Sequence, residues 1–394
     1  MRKSFVALSL LVALFVGAGV ASAAEVVVGA FTSLENEYYS NWNKGAEQCA
    51  AALGLEYRPL VDNNSAEKQM QIYETQLQAG VKMFFGTSPF TGNIPLIAQK
   101  VKEKGAFYVG LWDCVPWFHP LDTGSLNYAT YFAPDDFQNA YKLAKGMFQA
   151  MGGKGNIVHI TGWPGASVDV QRTMGMEKAL AEFPEIKLLG RQPGKWNQID
   201  ARKVMEDFLV AFPKLDAVFA QNDSEGVGAL QALQDAGLNI PTCGFDGNAE
   251  VMKLIKEGSF YGTITYTPGW QSGYAIVRAF DVKNGLQLHP LERMMFTGAT
   301  LITKENVDAY NTYMYGQKNL PFDWKKMSRT LHPEDWDPQN YVWPMDLEVL
   351  WDYAKDKKPA GYTLPKEYTE AVAKGEIEAL KKLYEEHYKI RSPE

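Results

Sequence analysis

The chain has 394 residues, of which 46% are hydrophobic and 22% charged, and its formal charge is −7. The length allows two or more domains. The acidic balance, with no block rich in Lys and Arg, excludes a nucleic-acid-binding surface. The three cysteines, Cys49, Cys114 and Cys243, are odd in number and far apart, so they read as buried or half-buried thiols, not as a disulfide framework.

At the N-terminus, Arg2 and Lys3 precede an apolar stretch from Phe5 to about Val16 and the small residues Ala21-Ser22-Ala23. This is the pattern of an export signal over residues 1–23, cut near Ala23-Ala24. The stretch is short for a spanning helix, and no later segment is long and apolar enough to cross a bilayer. Strands and helices then alternate. "EVVVGAF" (25–31) reads as a buried strand, and Asn41 to Leu53 as a helix with Trp42, Ala46, Cys49 and Leu53 at helical spacing, stopped by Gly54. "LEYRPLV", "VKMFFG" and "FYVGLW" are further strands, with helices at Lys68–Gln78 and Ile94–Lys104 between them.

The pattern restarts at residue 135. Helices are expected at Asp135–Met151, Val168–Phe183, Ile199–Phe212, Ser224–Ala236 and Ala249–Glu257. They alternate with the strands "NIVHIT", "IKLLGRQ", "DAVFAQN", "IPTCGFDG" and "YGTITY". Strands spaced by helices of about three turns imply right-handed βαβ units and parallel sheets covered on both faces. One sheet does not comfortably hold so many strands, so the α/β chain is expected to form two doubly wound parallel-sheet lobes. From about Tyr310 the βα rhythm stops. Trp, Tyr, Pro and charged residues dominate, and a charged helix is expected at Lys366–Tyr388. The aromatic residues there are expected to pin an extended tail onto the lobes.

Ligands of doubly wound sheets sit beyond the carboxyl ends of the strands. The polar residues at those ends are "TSLENEYY" after the first strand, "TSPF" at Thr87, "WDC" at Trp112, "GWPGAS" at Gly162, "QND" at Gln221 and "FDG" at Phe245. Tyr38, Tyr39, Trp112 and Trp196 recur beside them. A sugar ring has apolar C–H faces and a polar rim, and asks for flat side chains around it and amides and carboxylates at its edge. At "VFAQNDSEGVGAL", Asn222 is expected to meet ligand and Asp223 to cap the following helix, with Glu225 favoured by the helix dipole. Gly226, Gly228 and Ala229 would let that helix pack closely on the sheet.

Catalysis finds little support. The five histidines form no metal-ligand spacing, there is no CxxC, and GxSxG, Walker and dinucleotide patterns are absent. His159 reads as a core residue. Asp113 and Asp246 are the pair a secreted carbohydrate-active enzyme would use as general acid and base. The same carboxylates equally accept hydrogen bonds from hydroxyl groups. No metal and no cofactor is expected.

Over residues 26–304 the sequence resembles the periplasmic sugar-binding proteins of ABC transporters, near the ribose-binding type. The resemblance is carried by "FTSLENEYYSNWNKGAEQCAAALG", "DNNSAEKQMQIYETQLQAGVKMFFGTSP" and "ITGWPGASVDVQRTMGMEKAL". It is strongest in "FAQND" followed by "GALQAL" and "CGFDGNAEVMKLIKEGSFYGTITYTP". It implies the type I periplasmic-binding-protein fold, with two lobes joined by a hinge and crossing segments near Tyr131, Tyr266 and Met295. Residues 24–131 and 267–295 would form the N-terminal lobe, 132–266 and 296–310 the C-terminal lobe, and 311–394 a C-terminal extension. The ligand-binding positions implied are Asn36, the aromatic pair Tyr38 and Tyr39, Thr87, Arg172, Trp196, Asn222, Asp246 and, on the hinge side, Tyr266. The family's Asp-Arg pair after the fourth strand is here Trp112-Asp113, which replaces a cation by an indole and puts ribose in doubt.

The implied function is capture of a neutral monosaccharide or polyol by hinge closure, with one matched Arg beside two carboxylates arguing against a sugar phosphate. The implied partner is a membrane permease, and the implied protein a periplasmic monomer. A ligand sensor docking on a chemoreceptor or sensor kinase is the alternative of the same fold. Sugar-responsive repressors share the fold too, but need a helix-turn-helix where this chain has its export signal.

Overall fold

The computed structural model describes residues 24–354 and 358–393, so the expected export signal at residues 1–23 lies outside the described residues. The first half runs β1 (Val26–Phe31), α1 (Glu37–Leu53), β2 (Glu56–Val61), α2 (Ala66–Gln78), β3 (Met83–Thr87), α3 (Asn93–Glu103), β4 (Phe107–Leu111) and β5 (Tyr128–Pro134). The second half runs α4 (Asp136–Ala150), β6 (Lys154–Thr161), α5 (Ser167–Glu182), β7 (Glu185–Pro193), α6 (Gln198–Ala211), β8 (Ala217–Ala220), α7 (Asp223–Asp235), β9 (Thr242–Phe245), α8 (Ala249–Glu257) and β10 (Phe260–Thr265). Then follow α9 (Pro268–Lys283), β11 (Met294–Thr297), β12 (Thr300–Thr303), α10 (Val307–Tyr315), β13 (Val342–Pro344), α11 (Val349–Ala354), α12 (Lys366–Ala373) and α13 (Glu376–His387).

These strands form two sheets. The seven-stranded sheet has the order β2-β1-β3-β4-β5-β11-β13, and the six-stranded one β7-β6-β8-β9-β10-β12. Only the pairings of β13 with β11 and of β12 with β10 are antiparallel. In both sheets the first five strands follow the same doubly wound path, reversing direction beside the first strand of the half. The central strands β3 and β8 are buried along their whole length. β2 is half-exposed and carries Pro59, which an edge strand tolerates because no second neighbour needs its missing N–H. The chain passes between the sheets after β5, after β10, after β11 and again before β13.

Several elements differ from the sequence expectation. α1 begins at Glu37 and not at Asn41, because the Asn36 side chain caps it by accepting the Tyr39 N–H at 2.9 Å. The sequence expectation lacks the strand β5, the short strands β11, β12 and β13 and the helix α9. α9 opens on Thr267-Pro268-Gly269, which reads as a turn, and it is buried nearly all round, so it has no polar stripe to give it a periodicity. The expected helix at Lys366–Tyr388 is two helices, broken at Gly375, whose φ of 73° lies in the left-handed region. The cysteines are free thiols, with Cys49 and Cys243 buried and Cys114 half-buried.

The segment beyond α10 packs mainly on the first sheet's side. Trp324 lies over Gly273 of α9, and the Trp270 indole donates to the Pro338 carbonyl at 2.7 Å. Buried Asp281 of α9 accepts from the backbone N–H groups of Arg329 (2.9 Å) and Thr330 (3.2 Å) and from the hydroxyls of Ser328 and Thr330. Buried Glu292 pairs with Arg278 at 3.4 Å and with Arg329 at 2.5 Å, and accepts from the Tyr384 hydroxyl at 2.6 Å. α11 crosses to the other lobe, where the Tyr353 ring meets Phe137 at 5.8 Å between centroids.

Candidate ligand-binding site

The carboxyl ends of both sheets face one another across a cavity of ≈ 350 Å³. Ten of the eleven residues singled out from sequence line it: Asn36, Tyr38, Tyr39, Thr87, Trp112 and Asp113 from one lobe, and Arg172, Trp196, Asn222 and Asp246 from the other. Tyr266 does not line it. It is fully buried behind Arg172, whose Nη2 donates to the Tyr266 hydroxyl at 3.0 Å.

Many of these side chains are already engaged within the protein. Trp112 Nε1 donates to the Tyr38 hydroxyl at 2.5 Å, and that hydroxyl donates to Gln271 Oε1 at 2.8 Å. Tyr38 is therefore a wall of the cavity with its polar tip satisfied. Arg172 Nε donates to the buried carboxylate of Asp136 at 3.0 Å, Nη1 donates to the Gln221 carbonyl, and the guanidinium lies 4.3 Å from the Phe245 ring centroid. Asp136 was not anticipated as part of the site. It sits at the start of α4, and its charge cancels that of Arg172, so the cation expected to reach hydroxyl groups is held and neutralised from behind.

The two carboxylates differ from this. Asp113 accepts one hydrogen bond, from the Ser88 N–H at 3.1 Å, and burial pushes its carboxyl up to about 7. No described residue donates to the Asp246 side chain. Burial pushes it up to about 7 as well, against the lowering influence of Arg172. Two desolvated carboxylates with spare acceptor capacity thus face the cavity.

The helix-capping assignment at the start of α7 is corrected. Asn222, not Asp223, is the N-cap, its Oδ1 accepting the Glu225 N–H at 2.8 Å. Asp223 is wholly buried and accepts from the Thr263 hydroxyl at 2.7 Å and the Asn248 N–H at 2.8 Å, tying α7 to β10 and to the start of α8. Glu225 does stand in the first turn of α7, as the dipole argument expects, and is wholly buried. Gly226 does face the sheet, where a Cβ would overlap Phe260, but Gly228 makes room for the Gln198 carbonyl at the start of α6.

Backbone strain gathers here. Among the described residues, eight other than glycine have left-handed φ, and five of them line the cavity: Asn64, Trp112, Lys195, Trp196 and Asp246. Bulky residues in that region cost free energy and persist only where the surroundings over-determine them. The rim adds Trp163 and Lys195, with the Lys195 ammonium 5.6 Å from the Trp163 ring centroid. "GWPG" marked that loop as a strand end, but an exposed Trp there gave no sign of facing the cleft. The lobes touch at the lip, where the Ala249 N–H at the start of α8 donates to Glu37 of α1 at 2.6 Å. Among the described residues no group of His, Cys, Asp and Glu could hold a metal ion, and no helix is long and apolar enough to cross a membrane.

Two lobes of like topology, meeting over a cavity walled by aromatic rings and carboxylates with spare acceptor capacity, define a type I solute-binding protein. The chain belongs to the family described as periplasmic binding protein domain, whose model matches residues 27–287. It is 36% identical over 183 residues to a xylitol-binding protein of Mycolicibacterium smegmatis, a match spanning 44% of this chain and 50% of that one. It is 27% identical over 303 residues to a D-apiose import binding protein of Paraburkholderia graminis, spanning 74% and 92% of the two chains. Among solved structures it superposes with a TM-score of 0.68 on an ABC transporter periplasmic solute-binding protein of Actinobacillus succinogenes with bound D-allose, at 26% identity, covering 73% of this chain and 100% of that one. These relatives are solute-binding proteins and not enzymes, so Asp113 and Asp246 are not read as an acid–base pair.

Proposed function

We propose that the protein captures a neutral monosaccharide or polyol between its lobes in the periplasm, after export, and delivers it to the permease of an ABC importer. The observation that carries this reading is the composition of the cavity wall. Trp112, Trp196, Tyr38 and Tyr39 offer flat apolar surfaces, while Asp246, with no donor among the described residues, and Asp113, with only the Ser88 N–H, offer spare acceptors. Ligand hydroxyl groups supply those donors, and ring C–H groups cover the aromatic faces. With Asp136 cancelling Arg172, and Lys195 facing Asp113, Asp200 and Asp246 across the same wall, the cavity has no net positive charge for a phosphate. Xylitol, D-apiose and D-allose, named for the relatives, are all polyhydroxylated and uncharged. Closure follows because only the closed form touches the ligand from both lobes, so binding shifts the population toward it.

The test is a thermal-shift screen with xylitol, D-apiose, D-ribose, D-allose and myo-inositol, followed by calorimetry and mass analysis of the ligand. One of them is expected to bind unchanged, with a Kd of about micromolar or tighter, roughly −8 kcal/mol. Absence of binding by all neutral sugars and polyols, or turnover of the bound one, overturns the reading.

A further inference from the structure

We infer that Glu225 is a positioning residue whose buried carboxylate holds the Trp196 loop in its ligand-competent conformation and thereby sets the affinity of the cleft. Trp196 and Lys195 both adopt left-handed backbone, with φ of 54° and 57°. Such a pair of bulky residues requires an external restraint. Glu225 supplies it from the first turn of α7: Oε1 accepts the Trp196 N–H at 2.7 Å, and Oε2 accepts the Gln221 N–H at 3.2 Å. Gln221 in turn accepts the Gly162 N–H on its Oε1 at 3.0 Å. One carboxylate therefore ties together the loops that leave β7 and β8 and, through Gln221, the loop that leaves β6.

The surroundings are fitted to this role. A Cβ on Gly194 would lie 2.9 Å from Glu225 Oε1, and a Cβ on Gly162 would overlap the Trp196 indole. Glu225 forms no salt bridge among the described residues, feels the Arg172 charge only at longer range, and is wholly buried, so it answers to no requirement of solubility. Both groups it faces are donors. A carboxylate is acceptor-only and satisfies both, whereas a glutamine of equal size would turn an NH₂ toward one of the two N–H groups. Burying the ionised form is costly, and burial pushes this carboxyl up to about 8 against the lowering pull of the Trp196 N–H, the Arg172 charge and the Gln221 and Asn222 N–H groups, so the acceptor-only form holds the loops above that pH. Its retention in so unfavourable a place is explained by the loop it holds.

The inference rests on Trp196 touching the ligand, as proposed above, and is tested by readouts that separate the two. The full chain is labelled with 5-fluorotryptophan, and the Trp196 ¹⁹F resonance is assigned with Trp196→Phe. At pH 9, where the Glu225 carboxyl is ionised, that resonance in ligand-free Glu225→Gln is expected to shift or broaden relative to the unsubstituted chain while the other tryptophans stay in place. Affinity for the polyol or sugar identified in the screen is expected to fall roughly tenfold, the effect of leaving a buried donor unpaired. In a Trp196→Ala background Glu225→Gln is expected to have no further effect on affinity, since its action passes through the ring. Should Glu225→Gln not fold, Glu225→Asp keeps the carboxyl but draws it back from both N–H groups and is read the same way. An unmoved Trp196 resonance, unchanged affinity, or losses that simply add in the double variant overturn the inference. If no sugar or polyol binds, the proposed function fails, and the ligand-free ¹⁹F spectrum still decides whether Glu225 positions the loop.

Discussion

Asp246 joins two unfavourable conditions that make sense only together with a ligand. Its φ of 117° is one that residues with a Cβ rarely adopt, and its buried carboxylate receives no hydrogen bond from the described residues. Asp246→Gly removes both. It is expected to stabilise the ligand-free protein by about 1–3 kcal/mol, the usual cost of such backbone strain, and to abolish binding. Chemical denaturation and calorimetry on the same sample check the pair of outcomes. The carboxyl also gives a pH signature. Its folded value of about 7 lies above the ordinary 3.8, so the folded state holds the proton more tightly. Its contribution to stability is present below about 4 and is lost as pH rises toward 7, a slope that the glycine variant lacks. Asp246 was legible because it follows an apolar strand, and Trp196 through the family resemblance, since the strand before it is largely exposed. The cap of α7 was not, because Asn222 and Asp223 are both good N-caps. Only the positions of Thr263 and Asn248 decide that Asp223 turns inward.

The most telling element is α9. It lies between the first sheet, α1 and the C-terminal segment, and it buries Trp270, Gln271, Tyr274, Arg278 and Asp281. Its contact with α1 is made by glycines, for a Cβ on Gly45 would overlap the Gly269 carbonyl. Gly45→Ala would raise helix propensity in isolation. In the folded protein it is expected to destabilise by about 1–3 kcal/mol or more, because a backbone group cannot swing aside as a flexible side chain would. A thermal melt checks the sign. Most of the periodic helices were readable because one face of each meets solvent. α9 offered no such stripe, and the strands β11, β12 and β13 are too short to show alternation.

At the scale of the whole molecule, the segment after α10 completes the first lobe. β13 extends that lobe's sheet, and the four acceptor contacts of Asp281 all come from residues 328–330. A chain ending at residue 315 leaves that carboxylate without its partners and uncovers Trp270 and Tyr274. It is expected to lose several kcal/mol, on the order of the 3–5 kcal/mol that follows loss of a buried partner, and to aggregate. Its melting temperature and its state on size-exclusion chromatography, compared with the full chain, check this.

Residue order alone carries the alternation of buried strands and amphipathic helices, the duplication of that pattern, and the polar residues at the strand ends that form the cleft. Each of these is written in local periodicity and in the order of apolar and polar residues. Only the tertiary structure decided which polar groups remain available to a ligand. Asp136 takes up the charge of Arg172, Gln271 satisfies Tyr38, and Glu225 is committed to Trp196, all through partners distant in the chain. A hydrogen-bonding group's availability depends on what lies beside it in space, and residue order near that group does not encode its distant neighbours.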